Sequence, residues 1–221
     1  MKKILFLSDN FPPEVNAPAS RTFDHCKIWS EKGYDVTVIT SFPNFPIGKV
    51  FKGYKNKFYD IEKINGIRVI RVWTYISYNK GFYKRILDYM SYGFMSFIFG
   101  LFIKTDIIIG TSPQFFTAIS ARLLSFFKRR PWIMEIRDLW PESIVTVGSL
   151  SSDSLIFKIL KTIEIHLYKS ASRIVVVTKN FKKYLKENNI NSDKIIVIRN
   201  GINKKIFNSK IKKDFSIIKK L

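Results

Sequence analysis

The sequence predicts an α/β domain with a mostly parallel sheet and helices on both faces. The chain has 221 residues and is 46% hydrophobic, which is enough to bury a substantial core. Short apolar runs alternate with longer amphipathic stretches, as they do in βαβ chains. Most of the short runs are continuously apolar rather than alternating, which is typical of parallel strands covered on both faces.

Six apolar runs are predicted as sheet strands, at 4–8, 36–40, 107–110, 132–136, 174–178 and 195–198. A hairpin is predicted between 58–64 and 67–73, because Asn65-Gly66 favours a two-residue turn. Helices are predicted at 20–32, 83–104, 114–128, 154–170 and 180–189, with Ser20 as the N-cap of the first. The lysine-rich stretch 203–221 has the composition of a linker, so the domain is expected to span 1–202.

The charge balance is strongly basic, with 38 Lys and Arg against 17 Asp and Glu and a net charge of +21. Such a chain favours a polyanionic partner, either nucleic acid or an anionic membrane surface. The lysines are spread along the chain, without an arginine-rich arm or an RNA-binding aromatic motif, which favours the membrane.

The single cysteine, Cys26, indicates a reducing compartment. Ser8 and Asp9 end the N-terminal apolar run too early for a signal peptide.

The stretch 86–103 is dense in aromatic and aliphatic residues and contains one acid, Asp88, and no base. A membrane-spanning helix is disfavoured, because Asp88 would enter the bilayer and the strand 107–110 follows at once. We therefore predict a helix lying in the membrane plane, with aromatic residues such as Phe94, Phe97 and Phe102 facing lipid or the acceptor. A helix buried wholly inside the domain is the alternative interpretation.

Polar residues follow each predicted strand, where an open parallel sheet binds its ligands. The loop 9–21 is long and proline-bearing, and its lack of GxGxxG argues against a usual nicotinamide or flavin site. The start of the helix after this loop would attract an anion through its free amides. A loop merely stiffened by its prolines is the alternative.

Four ionisable residues, Glu135, Arg137, Asp138 and Glu142, lie close together after a predicted central strand. Burying unpaired charges is costly, so this pattern indicates either catalysis or an Arg-carboxylate pair that fixes the loop. The sequence has no DxD pair, no Cys/His cluster and no GxSxG elbow, and it predicts neither a metal nor a cofactor. His25 and His166 are interpreted as helix-face residues.

Five segments carry a family resemblance, namely 4–14 (ILFLSDNFPPE), 33–38 (GYDVTV), 136–143 (IRDLWPES), 175–181 (VVVTKNF) and 199–202 (RNGI). In this order they resemble family-four retaining glycosyltransferases of the GT-B fold. The DLWPES block is similar to the fucosamine-transferase-like branch of bacterial capsule and O-antigen enzymes. The resemblance extends from residue 1 to about residue 207.

The resemblance implies a Rossmann-like N-terminal domain, one half of a GT-B fold. Such an enzyme would move a sugar from a nucleotide diphosphate sugar to a polyprenyl-diphosphate-linked glycan, as a peripheral protein on the inner face of the cell membrane. Asp138 and Glu142 would be the catalytic residues that bind or polarise acceptor hydroxyls. The implied substrate-binding residues are Pro13, Glu14, Asn16, Arg21, Ser112, Arg137, Lys179, Asn200 and Gly201.

The family's second domain holds most of the donor nucleotide, a basic pair and a Glu-x7-Glu motif, and this chain contains none of these. The expectation is therefore a domain inactive alone, with a separately encoded C-terminal domain as partner. Asn16-Ala17-Pro18 replaces the Gly-Gly of many relatives, and Arg137 replaces a histidine that many have. The alternatives are a non-catalytic partner subunit or remnant with the same fold, and a basic nucleic-acid-binding domain.

Overall fold

The computed structural model describes residues 1–76, 81–112, 115–146, 148 and 151–201. The predicted linker at 203–221 lies outside the described residues. The strands in chain order are β1 Lys3–Leu7, β2 Asp35–Ser41, β3 Tyr59–Ile64, β4 Ile67–Val72, β5 Ile107–Thr111, β6 Trp132–Ile136, β7 Arg173–Val176 and β8 Ile195–Val197. The helices are α1 Ala17–Glu31, α2 Phe82–Leu101, α3 Phe115–Lys128, α4 Glu142–Thr146, α5 Leu155–Ser170 and α6 Lys179–Glu187.

All eight strands form one sheet in the order β3-β4-β2-β1-β5-β6-β7-β8. Every neighbouring pair is parallel except β3 and β4, which form an antiparallel hairpin at one edge. Asn65 and Gly66 both have positive φ, 49° and 83°, as a two-residue hairpin turn requires. The predicted hairpin and the mostly parallel sheet are thus confirmed.

Helices cover both faces of the sheet and enclose two apolar cores. On one face α1 packs over the middle strands, where Phe6, Cys26 and Val38 are buried. On the other face the core extends beneath α2, α3, α5 and α6, and it includes Tyr92 and Leu167. Burial raises the pKa of the Cys26 thiol well above its usual value, so this residue is a packed apolar group.

Helix α1 begins earlier than the sequence predicted. Asn16 is its N-cap, and the Asn16 Oδ1 accepts a 2.8 Å hydrogen bond from the Ala19 amide. Ser20 lies inside the helix, so the prediction that Ser20 is the cap was wrong. Pro18 falls in the first turn, where an amide has no intrahelical partner and proline is tolerated.

Helices α2 and α3 pack closely through two glycines of α2. A Cβ at Gly93 would lie 2.9 Å from the Cβ of Phe116, and one at Gly100 would lie 2.5 Å from Cδ1 of Leu124. These contacts fix which side of α2 faces outward. No helix in the described ranges is long and apolar enough to cross a membrane.

The outward side of α2 carries an apolar stripe made of Tyr83, Leu87, Met90 and Phe94. These residues are spaced four, three and four apart, which places them on one helix face. Their exposed fractions are 82%, 51%, 47% and 65%. Of the three phenylalanines predicted to face lipid, Phe94 and Phe102 are exposed, whereas Phe97 packs against the core and its ring lies 5.8 Å from that of Phe127.

Candidate functional site

The predicted site residues lie where the parallel strands end, but they do not form one group. Those after β1 hold two loops together. The buried Glu14 carboxylate accepts 2.8 Å hydrogen bonds from the backbone amides of Asn44 and Phe45, and a 2.9 Å bond from Nδ2 of Asn10. Glu14 therefore ties the loop after β1 to the loop after β2, while its neighbour Pro13 is exposed at the rim.

Arg21 is bound entirely within the protein. Its Nε donates to Oε1 of Glu135 at 2.9 Å, and both side chains are nearly buried. Its two terminal nitrogens donate to main-chain oxygens of Ile198 and Arg199 and to Oδ1 of Asn200. Arg21 thus fixes α1 to the end of β6 and to the chain leaving β8.

Glu135 is the centre of a charged group at the end of β6. Its second oxygen accepts a 2.8 Å hydrogen bond from the hydroxyl of Thr111, at the end of β5. His25, one helical turn after Arg21, has its Nδ1 3.9 Å from Oε1 of Glu135. Burial is the largest influence on His25 and lowers the pKa of its imidazole, although the Glu135 charge opposes this.

Arg137 lies two residues after Glu135 and one residue beyond the end of β6, and its charge interacts with those of Glu135 and Arg21. Its backbone amide donates a 2.9 Å hydrogen bond to the Ser112 Oγ, which joins the ends of β5 and β6. The Arg137 Nη1 is buried and has no hydrogen-bond partner among the described residues. Burial is also the largest influence on this guanidinium and lowers its pKa.

Asp138 follows in a half-buried turn. Its Oδ1 accepts a 2.9 Å hydrogen bond from the amide of Leu139, and no described residue donates to its Oδ2. The next residues anchor the turn, because the ring of Trp140 stacks on Phe115 of α3 at 6.1 Å and lies 6.5 Å from Tyr89 of α2. The turn that carries Asp138 is therefore held against α2 and α3 through Trp140.

Glu142 is separated from Asp138 by the turn of the chain into α4. Its Oε1 accepts hydrogen bonds from Nζ of Lys161 and the hydroxyl of Tyr184, and its Oε2 is buried without a described partner. Lys161 also lies 2.8 Å from Glu164, to which Tyr168 donates at 2.5 Å. Burial raises the pKa of Glu164 to about 7. The structure thus places Glu142 in a network between α4, α5 and α6.

A cavity of about 420 Å³ lies at the ends of β7 and β8. Its lining brings together Lys179 and Asn200, both predicted site residues. Arg199, which was not predicted as a site residue, also lines the cavity. Thr178 caps α6 by accepting a 3.1 Å hydrogen bond from the Phe181 amide. Lys179 and Arg199 are exposed, as is Gly201, the last described residue. Asn200 was predicted because it follows a predicted strand, and Arg199 follows the same strand directly. A polar residue at such a position is the pattern from which Arg199 could have been predicted.

The model of the family described as Glycosyltransferase Family 4 matches residues 19–205, most of the chain. The chain belongs to this family. It is also similar to a probable glycosyltransferase, WbjE, of Pseudomonas aeruginosa, with 27% identity over 100 residues that cover 42% of this chain and 25% of that protein.

Solved structures confirm the fold of this family 4 glycosyltransferase domain. Sucrose-phosphate synthase of Thermosynechococcus elongatus matches with a TM-score of 0.56 and 14% identity, covering 94% of this chain and 50% of that chain. A second structure of that synthase matches with a TM-score of 0.53 and 13% identity, covering 91% of both chains. The chain spans a quarter of the WbjE length and half of the first synthase chain. Its Rossmann-like architecture is one half of a GT-B fold.

The glycosyltransferase domain thus presents two cation-rich places along one sheet edge. One surrounds Glu135 and includes Arg137, and the other is the cavity with Lys179 and Arg199. The Asp138 carboxylate lies directly after Arg137 in the chain. In the described ranges, no group of three or more His, Cys, Asp or Glu side chains is placed to hold a metal ion. The arrangement can bind anionic groups and accept a hydrogen bond from a hydroxyl.

Proposed function

We propose that this domain is the acceptor-side half of a transferase that moves a sugar from a nucleotide diphosphate sugar to a polyprenyl-diphosphate-linked glycan. The observation that carries the proposal is the position of α2. Its inner side touches the Asp138 turn through the contact between Tyr89 and Trp140, and its outer side carries the apolar stripe. A lipid-linked acceptor needs an apolar surface beside a polar cleft. Helix α2 provides the apolar surface and lies against the turn that carries Asp138.

The membrane is the proposed location of this reaction, at its cytoplasmic face. Lys84 and Arg85 are exposed beside the first residues of the stripe, and Lys104 follows the helix. Each Lys or Arg near an anionic lipid surface contributes about 1 kcal/mol of attraction. The chain's net charge of +21 acts in the same direction. An in-plane α2 would thereby hold the acceptor lipid next to the cleft.

In the proposed reaction, the bond from the anomeric carbon to the diphosphate oxygen breaks and the diphosphate leaves with the electron pair. The acceptor hydroxyl oxygen bonds to that carbon, and its proton passes to an oxygen of the departing diphosphate. The Oδ2 of Asp138 would accept a hydrogen bond from this hydroxyl and orient it. Lys179, Arg199 and the free amides of α6 would stabilise the charge on the leaving diphosphate.

Glu142 has a different part in this proposal from the one that the resemblance implies. Its Oε1 is already bound by Lys161 and Tyr184, so direct contact with a sugar would require these bonds to break. We propose that Glu142 holds the Asp138 turn against α5 and α6. The donor nucleotide would lie mainly on a second domain, so turnover is proposed to need such a domain as partner.

The test is a transfer assay in which residues 1–221 are combined with a separately produced donor-binding domain, several nucleotide sugars and a polyprenyl-diphosphate acceptor in anionic vesicles. We expect turnover only with both domains. Asp138→Asn should lower turnover about 100-fold, the scale of a misplaced acceptor hydroxyl, and leave the Tm within a few degrees. Asp153→Asn is the control, because Asp153 is an exposed aspartate outside the proposed site.

The same assay tests the stripe. Met90→Ser with Phe94→Ser should reduce transfer to the vesicle-borne acceptor but not to a water-soluble, short-chain acceptor. The control is Ile28→Ser with Ile47→Ser, since their exposed fractions of 47% and 63% nearly match the 47% and 65% of Met90 and Phe94. Turnover by the chain alone would contradict the two-domain proposal, and full activity of Asp138→Asn would contradict the role of Asp138.

A further inference from the structure

The group around Glu135 contains more cations than one carboxylate can neutralise. Glu135 is 3% exposed, and both of its oxygens are occupied, one by Arg21 and the other by Thr111. Arg137 is a second guanidinium within the electrostatic range of this carboxylate, and His25 lies beside it. One buried negative charge therefore faces two fixed positive charges and an imidazole, on which Asp24 also acts.

Arg137 is the cation of this group that is not bound. The four side-chain hydrogen bonds of Arg21 all go to protein atoms, whereas the Arg137 side chain makes no hydrogen bond or ion pair within the described part of the chain. Its Nη1 is also shielded from water. A partly desolvated guanidinium without a protein partner is costly, and because Arg137 is only half-buried, an oxygen ligand can reach its remaining N–H groups.

The position of Arg137 is fixed by the backbone. Its amide is bound to Ser112, and the next residues are anchored by the stacking of Trp140 on Phe115. The guanidinium is thus carried by a rigid strand end rather than by a free loop. Asp138, the proposed hydroxyl acceptor, is the adjacent residue.

We propose that Arg137 is an oxyanion receptor that binds a phosphate or carboxylate group of the substrate. The planar guanidinium fork matches both groups, and charge-assisted bonds of this type are among the strongest that side chains make. The source of the anion is either a substrate diphosphate or an acidic sugar of the acceptor. That assignment rests on the proposed function, but binding of the anion itself does not require transfer.

The test is calorimetric titration of the whole chain with inorganic pyrophosphate, glucuronate and, as the neutral comparison, glucose. Pyrophosphate or glucuronate should bind more tightly than glucose. Arg137→Gln should weaken the binding of that anion about 10- to 100-fold, the effect of losing charge-assisted hydrogen bonds. Arg137→Lys should recover part of this loss, because it keeps the charge without the fork.

The matched control is Arg68→Gln, which removes the same charge from an exposed position on β4. Equal weakening in both variants would assign anion binding to general charge and overturn the proposal. A Tm lowered in Arg137→Gln would also overturn it, because removal of a costly unpartnered cation should leave the Tm unchanged or raise it. Arg137-dependent binding of pyrophosphate alone identifies the diphosphate as the source, and Arg137-dependent binding of glucuronate identifies an acidic sugar. Failure of the transfer assay leaves these outcomes unchanged.

Discussion

Two charged clusters near the same edge of the sheet satisfy their charges in different ways. The Glu142 cluster consists of Glu142, Lys161, Glu164, Tyr168 and Tyr184, and each of its carboxylates accepts at least one bond from within the cluster. The Glu135 cluster consists of Arg21, His25, Thr111, Glu135 and Arg137, and it leaves one guanidinium without a partner. In the first cluster every charged group has a partner within the cluster, although Oε2 of Glu142 has none among the described residues, whereas in the second the Arg137 side chain is bound to no described residue.

The locations of the clusters explain this difference. Lys161 lies between α4, α5 and α6, where its charge offsets two carboxylates that would otherwise repel each other. Arg137 lies at the end of β6, on the crevice side of the sheet where ligands of open α/β folds bind. A network between helices stabilises the fold, whereas the unpaired cation at the strand ends is where we propose that the substrate binds.

Of the substitutions in the two clusters, replacement of Arg21 should have the largest effect on the free energy of unfolding. Arg21→Met leaves the nearly buried Glu135 with a hydroxyl as its hydrogen-bond partner, and removal of one member of a buried pair costs about 3–5 kcal/mol. Urea denaturation should show this loss in the free energy of unfolding. Arg68→Met, at an exposed position, should change it by less than about 0.5 kcal/mol. Similar small losses in both variants would mean that the Glu135 pair does not hold the fold.

Replacement of Lys161 should lower the free energy of unfolding by an intermediate amount that depends on pH. The pKa of Glu164 is about 7 against an ordinary 4.5, so the folded protein keeps a proton that the unfolded chain loses between these values. The contribution of Glu164 to stability therefore falls as the pH rises through this range. Lys161 lowers this pKa, so Lys161→Met should raise it further.

The expected loss in Lys161→Met is about 2 kcal/mol at pH 8, less than for a fully buried pair because Lys161 is partly exposed. It should be smaller at pH 5.5, where Glu164 is protonated in both proteins. Thermal unfolding at the two pH values measures the difference, with Lys158→Met as an exposed control on the same helix. A loss that is greater at pH 5.5 would contradict the assigned raised pKa.

Removal of one hydroxyl from each cluster should give the smallest losses of stability. The two losses allow a direct comparison of the clusters. Thr111→Val removes a donor to Glu135, and Tyr184→Phe removes a donor to Glu142. We expect losses of about 1–2 kcal/mol for the first and about 0.5–1 kcal/mol for the second. Water can replace the lost bond more easily at Glu142, whose side chain is 32% exposed against 4% for Glu135. Equal losses in denaturant titrations would mean that the clusters do not differ in access to water.

The fold was largely predictable because its signals are local. Continuous apolar runs marked the parallel strands, and Asn65-Gly66 marked the hairpin whose positive φ angles the structure confirms. The start of α1 was predicted too late because Ser20 and Asn16 are both favourable N-cap residues, and proline is accepted in the first turn that follows Asn16. The five-residue α4 was not predicted, since so short a helix carries no periodic signal.

The sequence by itself determined the fold class, the family and the positions where polar residues leave the strands. It placed Arg137, Asp138 and Glu142 in one motif, but only the tertiary structure decided which side chains each of them contacts. Glu142 enters the network with Lys161, and Arg137 joins the group of Glu135 and Arg21. Arg21 and Glu135 are 114 positions apart in the chain, and such a contact follows from strand order and helix packing rather than from local pattern.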